Sequence, residues 1–151
     1  MKTRTLILVS IFLLSVTFSF AGGEDKISKK VFWNAMSGTW VNTDYLGNTP
    51  WYEQKLIIHT DGKFGYYPLT TDTNPIREGY YFTLTEAWID SEGITWYKAI
   101  RKEPGGDFHE LGKISDSGNR WEFIADAHNE PTEWDTTITR YEWYEIRYRE
   151  K

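Results

Sequence analysis

The chain contains no cysteine. No disulfide framework holds it together, no thiolate is available as a metal ligand, and an acylated cysteine at a processing site is excluded. Histidine is almost as scarce. His59, His109 and His128 fall at a strand end, within a strand and beside a turn, and no pair has the spacing of a metal site. Positive charge is in deficit, with 17 Lys and Arg against 22 Asp and Glu and a formal charge of −5. No basic stripe occurs, which argues against nucleic acid or anionic lipid as a partner. There is no Gly-x-Ser-x-Gly elbow, no phosphate loop, no internal repeat and no low-complexity tract. Asp72-x-Asn74 lacks the glycine and closing glutamate of a calcium loop and reads as a turn ending at Pro75.

Residues Met1 to Ala21 have a basic start, Lys2 and Arg4, then an apolar run from Leu6 to Phe20 and the small residues Ser19 and Ala21. This is the pattern of a signal peptide (1–21) cleaved before Gly22. The run is short for a bilayer span, which takes about 20 apolar residues. The expectation is therefore a secreted or periplasmic protein with no stable membrane insertion. Residues 22–30 are polar and read as a flexible lead-in to a single domain over 31–151.

Aromatics are abundant, at 17% with eight tryptophans, and favour strands. Val31 to Met36 places apolar residues four apart (Ile27, Val31, Ala35; Phe32, Met36), which predicts a short helical turn. After it the rhythm is strand, turn, strand. Turn signals such as Asp61-Gly62, Pro104-Gly105-Gly106-Asp107 and Asp116-Ser117-Gly118-Asn119 divide the chain into segments 38–45, 51–59, 63–69, 76–89, 94–102, 108–115, 120–127 and 132–149. Several alternate with period two: Trp121, Phe123 and Ala125 against Glu122, Ile124 and Asp126, and Tyr144, Ile146 and Tyr148 against Glu145, Arg147 and Arg149. No helical stretch is long enough for a parallel crossover. The fold class expected is all-β, an eight-stranded antiparallel up-and-down barrel or a sandwich.

The stretch Ser37-Gly38-Thr39-Trp40, after a helical turn and opening the first strand, resembles the lipocalin (calycin) superfamily signature Gly-x-Trp. The chain is similar to the small bacterial lipocalin-like domains. The resemblance implies an up-and-down barrel in which Trp40 packs across the closed end beneath an arginine of the last strand, for which Arg140 and Arg147 are the candidates. Avidins share a Gly-Thr-Trp-x-Asn start, but their later tryptophan-bearing strands find no match here, and biotin is not carried over.

Barrels of this size are either just filled by side chains or hold one small ligand. Tyr66, Tyr80, Phe82, Trp96, Trp121, Phe123 and Tyr144 are the expected ligand-binding wall if they point inward; otherwise they are core. Most carboxylates lie at turns, while Glu110 and Glu122 lie within strands, where an inward pair is the arrangement acid–base chemistry needs. The segment Trp88 to Lys98 reads as a hairpin with tryptophans on both arms, either cross-strand pairs or a contact patch for sugar or protein. The function expected is binding of a small, mostly apolar ligand by a monomer, with no catalytic residues, metal or cofactor. The alternative is a filled barrel acting on a protein or glycan through exposed aromatics.

Overall fold

In the computed structural model the residues described are 25–42, 54–136 and 143–150. The expected signal peptide and the Arg140 candidate lie outside them. An N-terminal strand β1 (Asp25–Lys26) precedes a helix α1 (Lys29–Met36), and eight strands follow: β2 (Gly38–Val41), β3 (Gln54–Ile58), β4 (Lys63–Pro68), β5 (Arg77–Ile89), β6 (Thr95–Glu103), β7 (Gly106–Ser115), β8 (Arg120–Asp126) and β9 (Trp143–Arg149). Strands β2 to β9 pair antiparallel, each with its neighbour in sequence. Pairing of β2 with β9, Trp40 opposite Arg149, closes the ring. The molecule is thus a closed eight-stranded antiparallel up-and-down barrel, the architecture the resemblance implies. Closure gives each of the strands β2 to β9 a partner on both sides among the described residues.

Three local differences from the sequence reading have physical causes. Asp25 and Lys26, read as part of a flexible lead-in, pair with Ile89 and Trp88 where β5 outruns β4. The helix begins earlier than expected because Ser28 caps it, its Oγ accepting from the Val31 N–H at 3.3 Å. The last strand is shorter than expected, since residues 132–136 belong to no strand. They form part of a strap in which Trp134 packs on the outer faces of Leu111 and Ile124.

α1 plugs one end of the barrel. Its buried residues Phe32, Trp33 and Met36 join the core, with Phe32 5.0 Å from the Tyr97 ring and Trp33 6.2 Å from Phe82. The chain leaves the helix through Ser37, whose N–H donates to the Trp33 carbonyl at 2.8 Å, and turns into β2 at Gly38, where φ is +130°. A side chain at that φ would be strained, and a Cβ there would also meet the Arg149 guanidinium. Gly-x-Trp therefore has a steric meaning: glycine makes the corner and the indole turns inward beneath the helix. Among the described residues no helix is long and apolar enough to cross a membrane.

Candidate functional site

The barrel interior has two levels. The lower is an aromatic floor. Trp40, Trp121 and Phe123 are fully buried, with Trp40 and Trp121 edge to face at 5.6 Å and Trp121 4.8 Å from Phe123. Trp40 Nε1 donates to the Met36 carbonyl at 2.8 Å, tying floor to helix. The arginine over the Trp40 ring is Arg149, its Cζ 4.3 Å from the centroid. Arg147 does not take this role, and the other candidate, Arg140, lies outside the described residues. The register explains it: Arg149 is the residue opposite Trp40, whereas Arg147 lies opposite Trp121, higher in the barrel. Arg149 also donates to the carbonyls of Gly118 (2.9 Å), Ser37 (2.6 Å) and Ala35 (2.5 Å), joining the β7–β8 turn to the helix C-terminus.

Above the floor the inner wall becomes charged. On β6 the inward row is Tyr97, Ala99 and Arg101, all buried. The Arg101 guanidinium stands 5.2 Å from the Phe108 ring and 5.3 Å from the Phe123 ring, with Nε 2.9 Å from Glu103 and Nη1 3.6 Å from Glu110 Oε2. Glu110, on β7, has no exposed side-chain surface; its Oε1 accepts from the Tyr97 hydroxyl, which accepts from Trp121 Nε1 at 2.7 Å. Burial raises the Glu110 pKa to about 7, against the pull of Arg101 and Tyr97. Burial and then Glu110 push Tyr97 well above its ordinary value. Burial alone would lower Arg101, but Glu110, Tyr66, Glu103 and Glu145 together outweigh it and leave it raised. From β9, Arg147 forms an ion pair with Glu145, which also accepts from Asn42 Nδ2 at 3.4 Å. Tyr66 receives two cations, Arg77 at 4.7 Å and Arg147 at 6.0 Å from its ring, and burial raises its hydroxyl. Among the described residues Glu110 Oε2 accepts no hydrogen bond and Arg147 Nε donates none, although both atoms are buried.

The seven residues expected to form a ligand wall separate into two groups. Tyr66, Tyr80, Phe82, Trp121 and Phe123 face inward. Tyr66 is in edge contact with Tyr80 at 5.5 Å, and Phe64 stacks between Tyr80 (5.3 Å) and Phe82 (4.6 Å). Trp96 and Tyr144 are on the outside. Trp96 belongs to the outward row of β6, beside Leu111, Ile124 and Trp134. Tyr144 is exposed because β9 turns its Glu145–Arg147–Arg149 row inward and its Tyr144–Ile146–Tyr148 row outward. The Tyr144 hydroxyl donates to Glu122 at 3.0 Å, and burial and this carboxylate push its pKa up to about 12. Glu122 is also on the outer face, near Arg120 and Lys113, so Glu110 and Glu122 do not form an inward pair.

Sequence reasoning missed the inward placement of Arg101, Glu103 and Glu145, and set Arg147 among the candidates over Trp40 rather than beside Glu145. A signal was present. Arg101/Glu103 and Glu145/Arg147 are opposite charges two apart, hence on one face of one strand and able to neutralise each other when buried. Among the described residues no group of three His, Asp or Glu is placed to hold a metal ion. The hairpin tryptophans are cross-strand partners, Trp88 opposite Trp96, with planes 9° apart and centroids 6.3 Å apart. No protein-family model, no curated protein and no solved structure matches the chain.

Proposed function

We propose that this is an extracytoplasmic binding protein that holds a small amphipathic molecule in the charged level of its barrel, acting as a monomer. The observation that carries this reading is the buried charge itself, Arg101, Glu110 and Arg147 at 3%, 2% and 6% exposure, with two polar atoms lacking a hydrogen bond among the described residues. Buried ion pairs are seldom the most stable filling for a core; aliphatic side chains of similar volume do as well or better. Polar groups converging from β4, β6, β7 and β9 over an aromatic floor are the furnishing of a ligand site, where a few polar contacts fix orientation and rings supply contact area.

In this reading the apolar body of the ligand lies against Tyr66 and Phe108, and its polar end meets Arg147 and Tyr66. The ligand is therefore less uniformly apolar than aromatic content alone suggests. Arg101 is a positioning residue, because Phe108 and Phe123 flank its guanidinium and Glu103 and Glu110 take its charge. Turnover is not part of the reading: the Glu110 carboxyl is enclosed, with Tyr97 on one oxygen.

The test is native mass spectrometry of the protein purified from its own cell envelope, followed by a fluorescent-dye displacement screen. A co-purifying small molecule is expected, bound about tenfold more weakly by Arg147→Met and a few-fold more weakly by Tyr66→Phe. Repeated preparations that carry nothing, together with a blank screen, overturn the reading.

A further inference from the structure

The outer wall carries a second aromatic feature, separate from the barrel interior. Trp88 and Trp96 lie nearly parallel on β5 and β6, and Trp134 from the strap stands at 84° to Trp96, 5.3 Å away. Together with Glu86, Lys98 and Glu133 they line a cleft of about 460 Å³. All three indoles remain partly exposed. Their geometry is held from behind. Asp90 accepts from Trp96 Nε1 at 2.7 Å and is itself fixed by the backbone N–H groups of Glu92 and Ile94, each at 2.9 Å. The buried side chains of Leu111 and Ile124 support the rings.

The chemistry of the cleft narrows its occupant. A protein interface core is depleted of charge and covers about 800 Å² per partner, whereas this is a concavity of small-molecule size rimmed by charged groups. A purely apolar ligand would strip water from Glu86, Lys98 and Glu133 without replacing it. An ionic ligand of either sign gains little net attraction, because the charges here are already matched: Glu86 pairs with Lys26 at 2.9 Å and Lys98 with Glu130 at 3.5 Å. An organic cation would find its place taken: Lys113 Nζ already lies 5.4 Å from the Trp96 ring and 4.6 Å from the Trp134 ring. What fits is a neutral molecule with a C–H face to lie on an indole and a rim of hydroxyls to exchange hydrogen bonds with carboxylate, ammonium and Thr132. We propose that the Trp88–Trp96–Trp134 cleft binds a neutral saccharide, of a size between one and three sugar units.

The experiment follows the indole N–H resonances of the folded protein by two-dimensional NMR, assigned by Trp→Phe substitutions, during titration with neutral glucose, mannose and N-acetylglucosamine trisaccharides. Trigalacturonate and choline serve as anionic and cationic comparisons. Saturable shifts of Trp88, Trp96 and Trp134 are expected, with Trp40 and Trp121 unmoved. Trp134→Ala should raise the Kd about tenfold and Lys98→Gln, which keeps every ring, about threefold. The inference is overturned if no neutral trisaccharide shifts these signals up to about 20 mM. It is equally overturned if both variants bind as the wild type does, if either charged probe binds more tightly than the neutral sugars, or if Trp40 and Trp121 respond instead. This outcome is independent of the interior reading, which is scored by Arg147→Met and Tyr66→Phe.

Discussion

The floor of the barrel and the level above it share the same strands but follow opposite rules. In the floor, Trp40, Trp121 and Phe123 bury their full surface, and the polar atoms of both indoles find partners, Met36 for one and Tyr97 for the other. Above it, Arg101, Glu110 and Arg147 are almost as deeply buried, yet Glu110 Oε2 and Arg147 Nε lack hydrogen bonds among the described residues. The floor is built to hold the barrel shut. The upper level carries charge in a place where stability alone would not put it.

The comparison can be broken most forcefully at the floor. Trp40→Ala removes a wholly buried indole and its bond to the helix, and should cost about 3–5 kcal/mol in urea denaturation. A loss smaller than about 1 kcal/mol would mean the floor does not anchor the fold.

The upper level is best tested through pH. Burial raises Glu110 from an ordinary value of 4.5 to about 7, so the folded state holds this proton more tightly than the unfolded chain does. Its contribution is complete below about pH 4.5 and lost as pH rises through about 7. The stability of the wild type relative to Glu110→Gln should therefore fall on the order of 2–3 kcal/mol between these limits and level off above them. A pH-independent difference would place the carboxyl in a wetter site than the structure shows.

The seam between the levels lies at Gly112, directly opposite Tyr97. An added Cβ there collides with the Tyr97 ring, so Gly112→Ala should displace the hydroxyl that joins Trp121 to Glu110 and cost about 2 kcal/mol. It should also flatten the Glu110 pH profile, which a purely local clash would leave intact. The smallest effect belongs outside. Trp134→Ala should lower stability by about 1 kcal/mol in thermal unfolding and leave the interior unchanged, since its ring packs on the outer side of the wall, against Leu111, Ile124 and Trp96.

Much of the architecture was legible because turns are punctuated by local chemistry. Asp61-Gly62 and Asp116-Ser117-Gly118 declare reversals regardless of what the strands pack against, and Gly38 before Trp40 marks the corner where helix passes to strand. The site was less legible for a geometric reason. Alternation separates the two faces of a strand without saying which one is inside. On β8 the more aromatic row does face in. On β9 the rule fails: the apolar row Tyr144–Ile146–Tyr148 faces out, and Glu145, Arg147 and Arg149 face in, each with a partner. The strap that covers β8 was equally hidden. It buries Ile124 on the outer face, so both rows of that strand are covered and the contrast between them is weak.

The clasp at the base of the barrel also constrains the order in which the molecule can be assembled. Arg149 and Ser37 are joined by a hydrogen bond across 112 positions of chain, so helix, corner and indole cannot be fastened until the final strand has been made and brought round to them. Bringing such distant segments together is entropically slow, and until it happens β2 and β8 present raw edges. The time spent as an unsealed ribbon, more than the strength of the finished ring, is then the interval in which this chain is open to neighbours and proteases.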